Sequence, residues 1–423
     1  MTTAGWILAL GFIGLSLLGI PFAFALGITV IGVITVTGMS PALLPQTIIS
    51  GGQSFSLLGI PFFILAGEIM SSGGLSRRLV AVADVFVRHL PGGLGLVTIC
   101  AACVFAAISG SAPATTAAIG AIMIPAMVER GYSLPYSTSL AVSAGILAPL
   151  IPPSIAFIIW GVIAEQSIAK LFLSGILPGL TMAAGLAIYA MWKSRSDGVR
   201  RAPRATRAEI SEALRGGIWA LMAPLIVLGG IYGGVFTPTE ASAVACLYGL
   251  LVGLFVERKL SWRQLPEVIY RSMRTTALVM AVVVFSSGFG VLVAQEQLAD
   301  KVAGALLGVA QEKWLVMLVL NLAFFLLATV MDEVAIMVIF GPMLKAIALQ
   351  LGVDPIHFGA IIVTNVAIGM AAPPIGYCLF IGMAISKLSL GALSRAIWPQ
   401  VVIMLIVLML VTYVPAFSLA LIR

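Results

Sequence analysis

The chain has 423 residues; 61% are hydrophobic and 9% charged, and the net charge is +7. Soluble proteins carry roughly 25% charged residues, so the solvent for most of this chain is the lipid bilayer. The basic residues sit in short loops between apolar stretches, which argues against a nucleic-acid partner and orients the chain in a membrane instead. Cys100 and Cys103 form a CxxC within an apolar stretch that has no histidine or second pair nearby. With Cys246 and Cys378 they read as small buried hydrophobes, not redox or metal groups. The apolar N-terminus lacks a basic leader region and reads as a first span.

In chain order, apolar segments at 5–20 and 22–38 meet at Gly19-Ile20-Pro21 and predict a tight helical pair. A third span covers 57–68. Segment 75–90 mixes Arg77, Arg78, Asp84, Arg88 and His89 with Leu79, Val82, Val85 and Phe86, as a helix lying along the membrane surface does. The stretch 93–128 is apolar but broken at Ser109-Gly110-Ser111-Ala112-Pro113. About 16 residues on either side reach about 24 Å, short of the ~30 Å hydrocarbon core, so the spacing predicts a re-entrant hairpin. Residues 137–165 form a helix interrupted by Pro149-Leu150-Ile151-Pro152-Pro153, and 168–191 is continuous.

The loop 193–215 carries seven basic residues against Asp197, Glu209 and Glu212, which places it in the cytoplasm. Spans 217–236 and 240–256 join at Thr237-Pro238-Thr239-Glu240, and the basic segment 257–274 returns to the same side. Counting backwards puts Arg77, Arg78, Arg88 and Arg130 inside and both termini outside. The second half has a span at 275–294 and a surface segment at 296–313 (Glu296, Asp300, Lys301, Glu312, Lys313). A hairpin at 314–350 breaks at Met331-Asp332-Glu333. A broken helix at 356–385 parts at Ala371-Ala372-Pro373-Pro374, and a last span covers 392–421.

Laying Pro152-Pro153 over Pro373-Pro374 gives an offset of 221 residues. The same offset pairs Gly131 with Gly352, Ser143 with Thr364, Gly161 with Gly382, Pro178 with Pro399, and Ser111 with Asp332. Each half then holds five spans and one hairpin. Five is odd, so the second copy enters the membrane upside down, as in many secondary transporters. The expected fold is an all-α polytopic membrane protein with a first repeat at 1–192, a cytoplasmic linker at 193–215 and a second repeat at 216–423.

A helix break in lipid frees backbone groups that must find partners. Its carbonyls can ligate a hard cation, and its N–H ends can hold an anion. The first tip, Ser109 to Thr116, is rich in hydroxyls and uncharged. Ser111 is placed to cap the returning arm. Facing it are Gly145, Ala148, Pro149 and Leu150, whose carbonyls could complete a sodium site. At the second tip Asp332 reads both as a helix cap and as an ion-linked carboxylate near Thr364, Asn365, Gly369 and Ala371. Ser111, Thr115, Ser154 and Asn365 are the candidate substrate contacts, although Ser154 also suits a cap. No lysine or arginine lies near either tip, so an anionic substrate would need co-bound cations. Glu68 and Glu165 read as interfacial, Glu240 as a cap, Lys170 as snorkelling, and His357 has no evident partner. There is no HExxH, nucleophile–base pair or paired intramembrane aspartate to suggest an enzyme.

The run Gly59-Ile60-Pro61-Phe62-Phe63-Ile64-Leu65-Ala66-Gly67-Glu68-Ile69-Met70, the Ser109-Gly110-Ser111 tip, Thr237-Pro238-Thr239-Glu240-Ala241-Ser242 and both double prolines resemble the large membrane subunit of tripartite ATP-independent periplasmic (TRAP) transporters. The resemblance covers essentially the whole chain. It implies a sodium-driven elevator carrier of the bacterial inner membrane, with a scaffold and a moving transport domain, that imports small carboxylates. It implies two partners: a small four-span membrane subunit, here expected as a separate polypeptide, and a periplasmic substrate-binding protein. Sodium (Na+) sites carried over from the family fall on Ser109, Gly110, Gly145, Ala148 and Leu150, and on Asp332, Thr364, Gly369 and Ala371. The competing expectation is a stand-alone ion-coupled carboxylate carrier or cation exchanger.

Overall fold

A computed structural model describes residues 2–422 apart from 198, 200, 299–300, 302–303 and 305–311. The expected surface segment at 296–313, Asp300 included, therefore lies largely outside the described residues. Those described form helices and turns and no strand. Among the described residues eight helices are long and apolar enough to cross a bilayer, and the shorter apolar helices include the pieces of the two broken helices.

The repeat is written in the helix boundaries. Ala112–Glu129 and Glu333–Gln350, the returning arms of the two hairpins, start and stop 221 residues apart. Leu134 and Pro355 begin the next helices at the same offset, after glycines Gly131 and Gly352 that both turn at positive φ. Beyond the double prolines the offset becomes 222. Ile155–Ala164 matches Tyr377–Ser386 end for end, each closed by a left-handed residue, Glu165 or Lys387. Ile168 and Leu390 then open the following helices under serine caps. One extra residue after Pro374 causes the step, because Ile375 and Gly376 stand where the first half has Ser154 alone. The sequence matches Gly161/Gly382 and Pro178/Pro399 are thus one residue out of structural register.

The halves interlock through their returning arms. A Cβ added at Gly120 would meet Ile385 Cδ1 at 3.2 Å, and one added at Gly341 would meet Ile163 Cδ1 at 2.7 Å. These are the same contact made twice, since Gly120 and Gly341 are 221 apart and Ile163 and Ile385 are 222 apart. Each broken helix therefore sends its second piece into the other half's hairpin. The indole of Trp160 donates to the Pro355 carbonyl at 2.9 Å, and Lys345 pairs with Glu165 at 2.9 Å, across the same seam.

Several expected boundaries move. The loop 193–215 is mostly helical. Ile168–Ser196 continues to its start, and Arg207–Tyr232 begins at a capping box in which Thr206 and Glu209 bond each other's backbone. The segment 257–274 contains the first turns of Leu265–Gln295. The last long helix stops at Tyr413, before the extended residue that precedes Pro415, and a short helix, Ala416–Leu419, follows. An unexpected helix, Leu43–Gly52, lies between the N-terminal pair and Gly59–Ser72. Leu75–Val87 does form, but it buries Leu75, Leu79, Val82 and Val85, with Val82 packed on Gly217 of the neighbouring helix. Cys246 and Cys378 are buried, whereas Cys100 is exposed and Cys103 half-buried, contrary to the expectation for all four.

The basic segments meet on one face. Arg88 donates to Glu209 at 2.9 Å, to Asp84 at 3.3 Å and to the Pro203 carbonyl at 3.2 Å. Arg78 pairs with Glu257 at 2.9 Å. The Thr206 backbone and then Arg88 hold the Glu209 carboxyl down to about 2, so this junction stays charged across the physiological pH range.

If the halves interlock as described, cysteine pairs at Gly120/Ile385 and at Gly341/Ile163 should each be bridged by a short bis-maleimide, detected by protease digestion and mass spectrometry. Bridging of one pair without the other would contradict the symmetric seam.

Candidate functional site

At the first break, helix Gly93–Ser109 ends in Gly110 at φ 59°, a left-handed turn that glycine adopts without strain. Gly110 sits directly against the double proline, because a Cβ there would lie 2.5 Å from the Pro153 carbonyl oxygen. The Ile155 N–H donates to the Gly110 carbonyl at 3.4 Å, which seats the hairpin tip on the start of the second helical piece. Ser109 and Thr115 close the tip with a 2.8 Å hydroxyl–hydroxyl bond. Ser111 occupies the N-cap position in extended geometry, yet its side chain makes no capping bond. Ser154 is a cap: its hydroxyl accepts from the Phe157 N–H at 3.3 Å.

The facing helix, Leu134–Gly145, unwinds over 146–153. The N–H groups of Leu147, Ala148, Leu150 and Ile151 bond back to Ala144, Gly145 and Leu147. Among the described residues no N–H bonds to the carbonyls of Ala148 and Pro149. The Leu150 carbonyl lies against Gly175 of the next long helix, 2.3 Å from where a Cβ would stand. Gly145 presses on the returning arm in the same way; its Cβ would fall 1.9 Å from Thr116 Oγ1 and 2.9 Å from Thr116 Cα. Of the first-half candidates, Ser109, Gly110 and Thr115 are thus gathered at the tip. Gly145 closes on the neighbouring Thr116, and Ala148 and Leu150 lie on the unwound strand beyond it.

At the second break, the Gly376 N–H donates to the Thr329 carbonyl at 2.8 Å, again tying tip to break. Gly369 lies so close to the incoming arm that a Cβ would be 2.2 Å from Ala328 Cβ. Asp332 caps the returning arm, with Oδ1 accepting from the Ala335 N–H at 3.0 Å. Thr364 spends its hydroxyl on the Ala360 carbonyl at 2.6 Å. Asn365 bonds to the incoming arm through its amide nitrogen, and its Oδ1 is without a partner among the described residues. Its amide donates to the Asn321 carbonyl and Oδ1 at 2.8 and 3.0 Å, and Asn321 donates to Thr412 at 2.9 Å. Hairpin, broken helix and last long helix are joined by that buried network. Ala371 is the last residue before the chain leaves the helix.

Glu333 escaped the sequence reading. It is 5% exposed, and its Oε2 has no hydrogen-bond partner. The signal was present as a second carboxylate directly after Asp332. His357, read as partnerless, meets Ser418 at 2.6 Å. Glu240 caps through a box with Thr237, as expected. What the two sites offer chemically is hydroxyls, carbonyls and one or two carboxylates, a set of hard oxygen donors.

The sequence profile of the family described as "Tripartite ATP-independent periplasmic transporter, DctM component" matches residues 9–417. The chain belongs to this family. It is a TRAP large permease and a multi-pass membrane transport protein, not an enzyme. It is 42% identical over 94% of its length to the isethionate TRAP transporter permease protein DctMQ of Oleidesulfovibrio alaskensis, but spans only 63% of that longer protein. It is 39% identical to the 2,3-diketo-L-gulonate TRAP transporter large permease protein YiaN of Escherichia coli, over 88% of both chains. In fold it is similar to the crystal structure of the Alcanivorax borkumensis YdaH transporter (TM-score 0.63, 16% identity), over 89% of this chain and 88% of that one.

Close backbone approach at Gly145 and Gly369 predicts that Gly145→Ala and Gly369→Ala each lower stability by about 1–3 kcal/mol, the range for overpacking a tight site. Thermal unfolding in detergent checks this; wild-type melting in both variants would mean the arms are not packed as described.

Proposed function

We propose that this TRAP large permease imports a small organic anion, coupled to inward sodium movement, by an elevator-type exchange of its paired hairpins across the membrane. The observation that carries the reading is the seating of each hairpin tip on the break of a discontinuous helix, Gly110 on Ile155 and Thr329 on Gly376. No lysine or arginine is present in 93–128, 134–164, 314–344 or 355–386. An anion bound between the tips would therefore meet helix N-termini, hydroxyls and co-bound cations rather than a fixed positive side chain. On this reading Ser109, Gly110, Gly145, Ala148 and Leu150 contribute to one sodium site, and Asp332, Thr364, Gly369 and Ala371 to the other. Ser111 and Thr115 contact the substrate; Ser154 and Asn365 position the backbone around it.

The repeats at 1–192 and 216–423 are inserted in opposite senses, with 193–215 and the other basic segments cytoplasmic and both termini periplasmic. The gathering of Arg78, Arg88, Glu209 and Glu257 on one face supports that orientation. A small four-span membrane subunit and a periplasmic substrate-binding protein complete the transporter. The relatives named above carry, by their names, a hydroxysulfonate and a diketo sugar acid, so the substrate class is a small hydroxylated or carbonyl-bearing acid, with carboxylates first.

Reconstitution with the small subunit tests this. Uptake should require both the cognate binding protein and an inward sodium gradient, and replacing sodium with potassium should abolish it. Full-rate uptake without the binding protein, or unchanged uptake in potassium, would overturn the proposal.

A further inference from the structure

Six buried side-chain polar atoms are without a hydrogen-bond partner among the described residues, and three of them lie along one seam. Tyr136, Ser139 and Ser143 occupy positions i, i+3 and i+7 of Leu134–Gly145, a single face of that helix. Gln400 of Leu390–Tyr413 reaches this face and donates from Nε2 to Ser139 Oγ at 2.8 Å. The Tyr136 hydroxyl, Ser143 Oγ and Gln400 Oε1 are the unpartnered atoms. Tyr136 is 4% exposed and the other three residues 0%. An unpaired buried polar group costs about 1–3 kcal/mol, and three in succession on one stripe call for a shared ligand. Hydroxyls and an amide with no charge among them suit water, which takes two to four polar partners.

The internal repeat provides a control. In the second half the same positions hold His357, Ala360, Thr364 and, on the facing helix, Pro178. There His357 is bonded to Ser418 and Thr364 to the Ala360 carbonyl, so no side-chain atom is left over. Among the described residues the unpartnered stripe follows the first half's broken helix, with Gln400 reaching it from the second half. It runs from the unwound segment at 146–153 back towards the basic face, where Tyr136 stacks on Tyr132 at 6.1 Å. Tyr132 lines a cleft of about 20 Å³, together with Arg88, Arg130, Ser194 and Arg201, and such a volume holds about one water. Arg88 is neutralised by Glu209 and Asp84, but Arg130 and Arg201 would repel a cation at this mouth.

We propose that the seam of Tyr136, Ser139, Ser143 and Gln400 holds a file of internal water that hydrates the first helix break from the cytoplasmic face without conducting the ion itself. The file's role in ion release rests on the sodium-coupled reading above; its existence does not.

Radiolytic hydroxyl-radical labelling of the wild-type protein tests the file, because radicals formed from trapped water modify adjacent side chains. Tyr136 should be oxidised several-fold faster than the fully buried Trp160, and Gln400→Leu should remove that excess. Protection of Tyr136 to the level of Trp160 would overturn the proposal. In reconstituted uptake Gln400→Leu should lower the maximal rate several-fold and leave the half-saturating sodium concentration unchanged; wild-type turnover would overturn the role in release. A wild-type protein indifferent to sodium but labelled at Tyr136 would instead contradict the sodium coupling and leave the file standing.

Discussion

Everything in this fold depends on how the chain treats backbone that has left its helix inside lipid. Each unsatisfied N–H or carbonyl there costs several kcal/mol, and the protein breaks two helices at that depth. Its solution is to seat a hairpin tip on each break. The Gly110 carbonyl takes the N–H that restarts the first broken helix, and the Thr329 carbonyl takes the N–H of Gly376 at the second. Glycine is required where tip and break touch, since a side chain at Gly110 would collide with the Pro153 carbonyl. Once tips and breaks are joined, the carbonyls left over, such as those of Ala148 and Pro149, become the resource from which an ion site can be built.

The two halves use one backbone plan with different chemistry. Their helix boundaries agree at an offset of 221 before the prolines and 222 after them. The first tip is closed by a Ser109–Thr115 hydroxyl pair; the second is capped by Asp332, with the carboxylate of Glu333 buried beside it. The first broken helix carries polar side chains towards the basic face, while the second is tied off by Asn321, Asn365 and Thr412. Pseudo-symmetry in shape with asymmetry in polarity suits a carrier that must bind ions and substrate at one point and open to two different compartments.

Much of this was legible in the sequence because membrane insertion writes its constraints in hydrophobic length and loop charge. Both hairpins, both broken helices and the repeat itself follow from apolar runs interrupted by Gly and Pro or, at 331–333, by Asp332 and Glu333. What the sequence obscured were features decided by local capping or by tertiary contact. Thr206-Arg207-Ala208-Glu209 is a capping-box pattern, yet it sat in a stretch dominated by arginines and read as loop. Leu43–Gly52, at ten residues, is too short for a span. Asn365 stands out in the sequence as a polar group near a break, but the bond that holds its amide does not. Its partner Asn321 lies 44 residues away on another helix, and spacing along the chain does not reveal that contact.

On the proposed reading the joined tips and breaks create cation sites, and the most direct measurement is the melting temperature of the purified protein in sodium against equimolar potassium. A ligand that binds only the folded state raises stability by RT ln(1 + [L]/Kd). The wild-type protein should therefore melt progressively higher as sodium replaces potassium at constant ionic strength, and Asp332→Ala should lose part of that rise. Superimposable melting curves in the two salts would contradict the account.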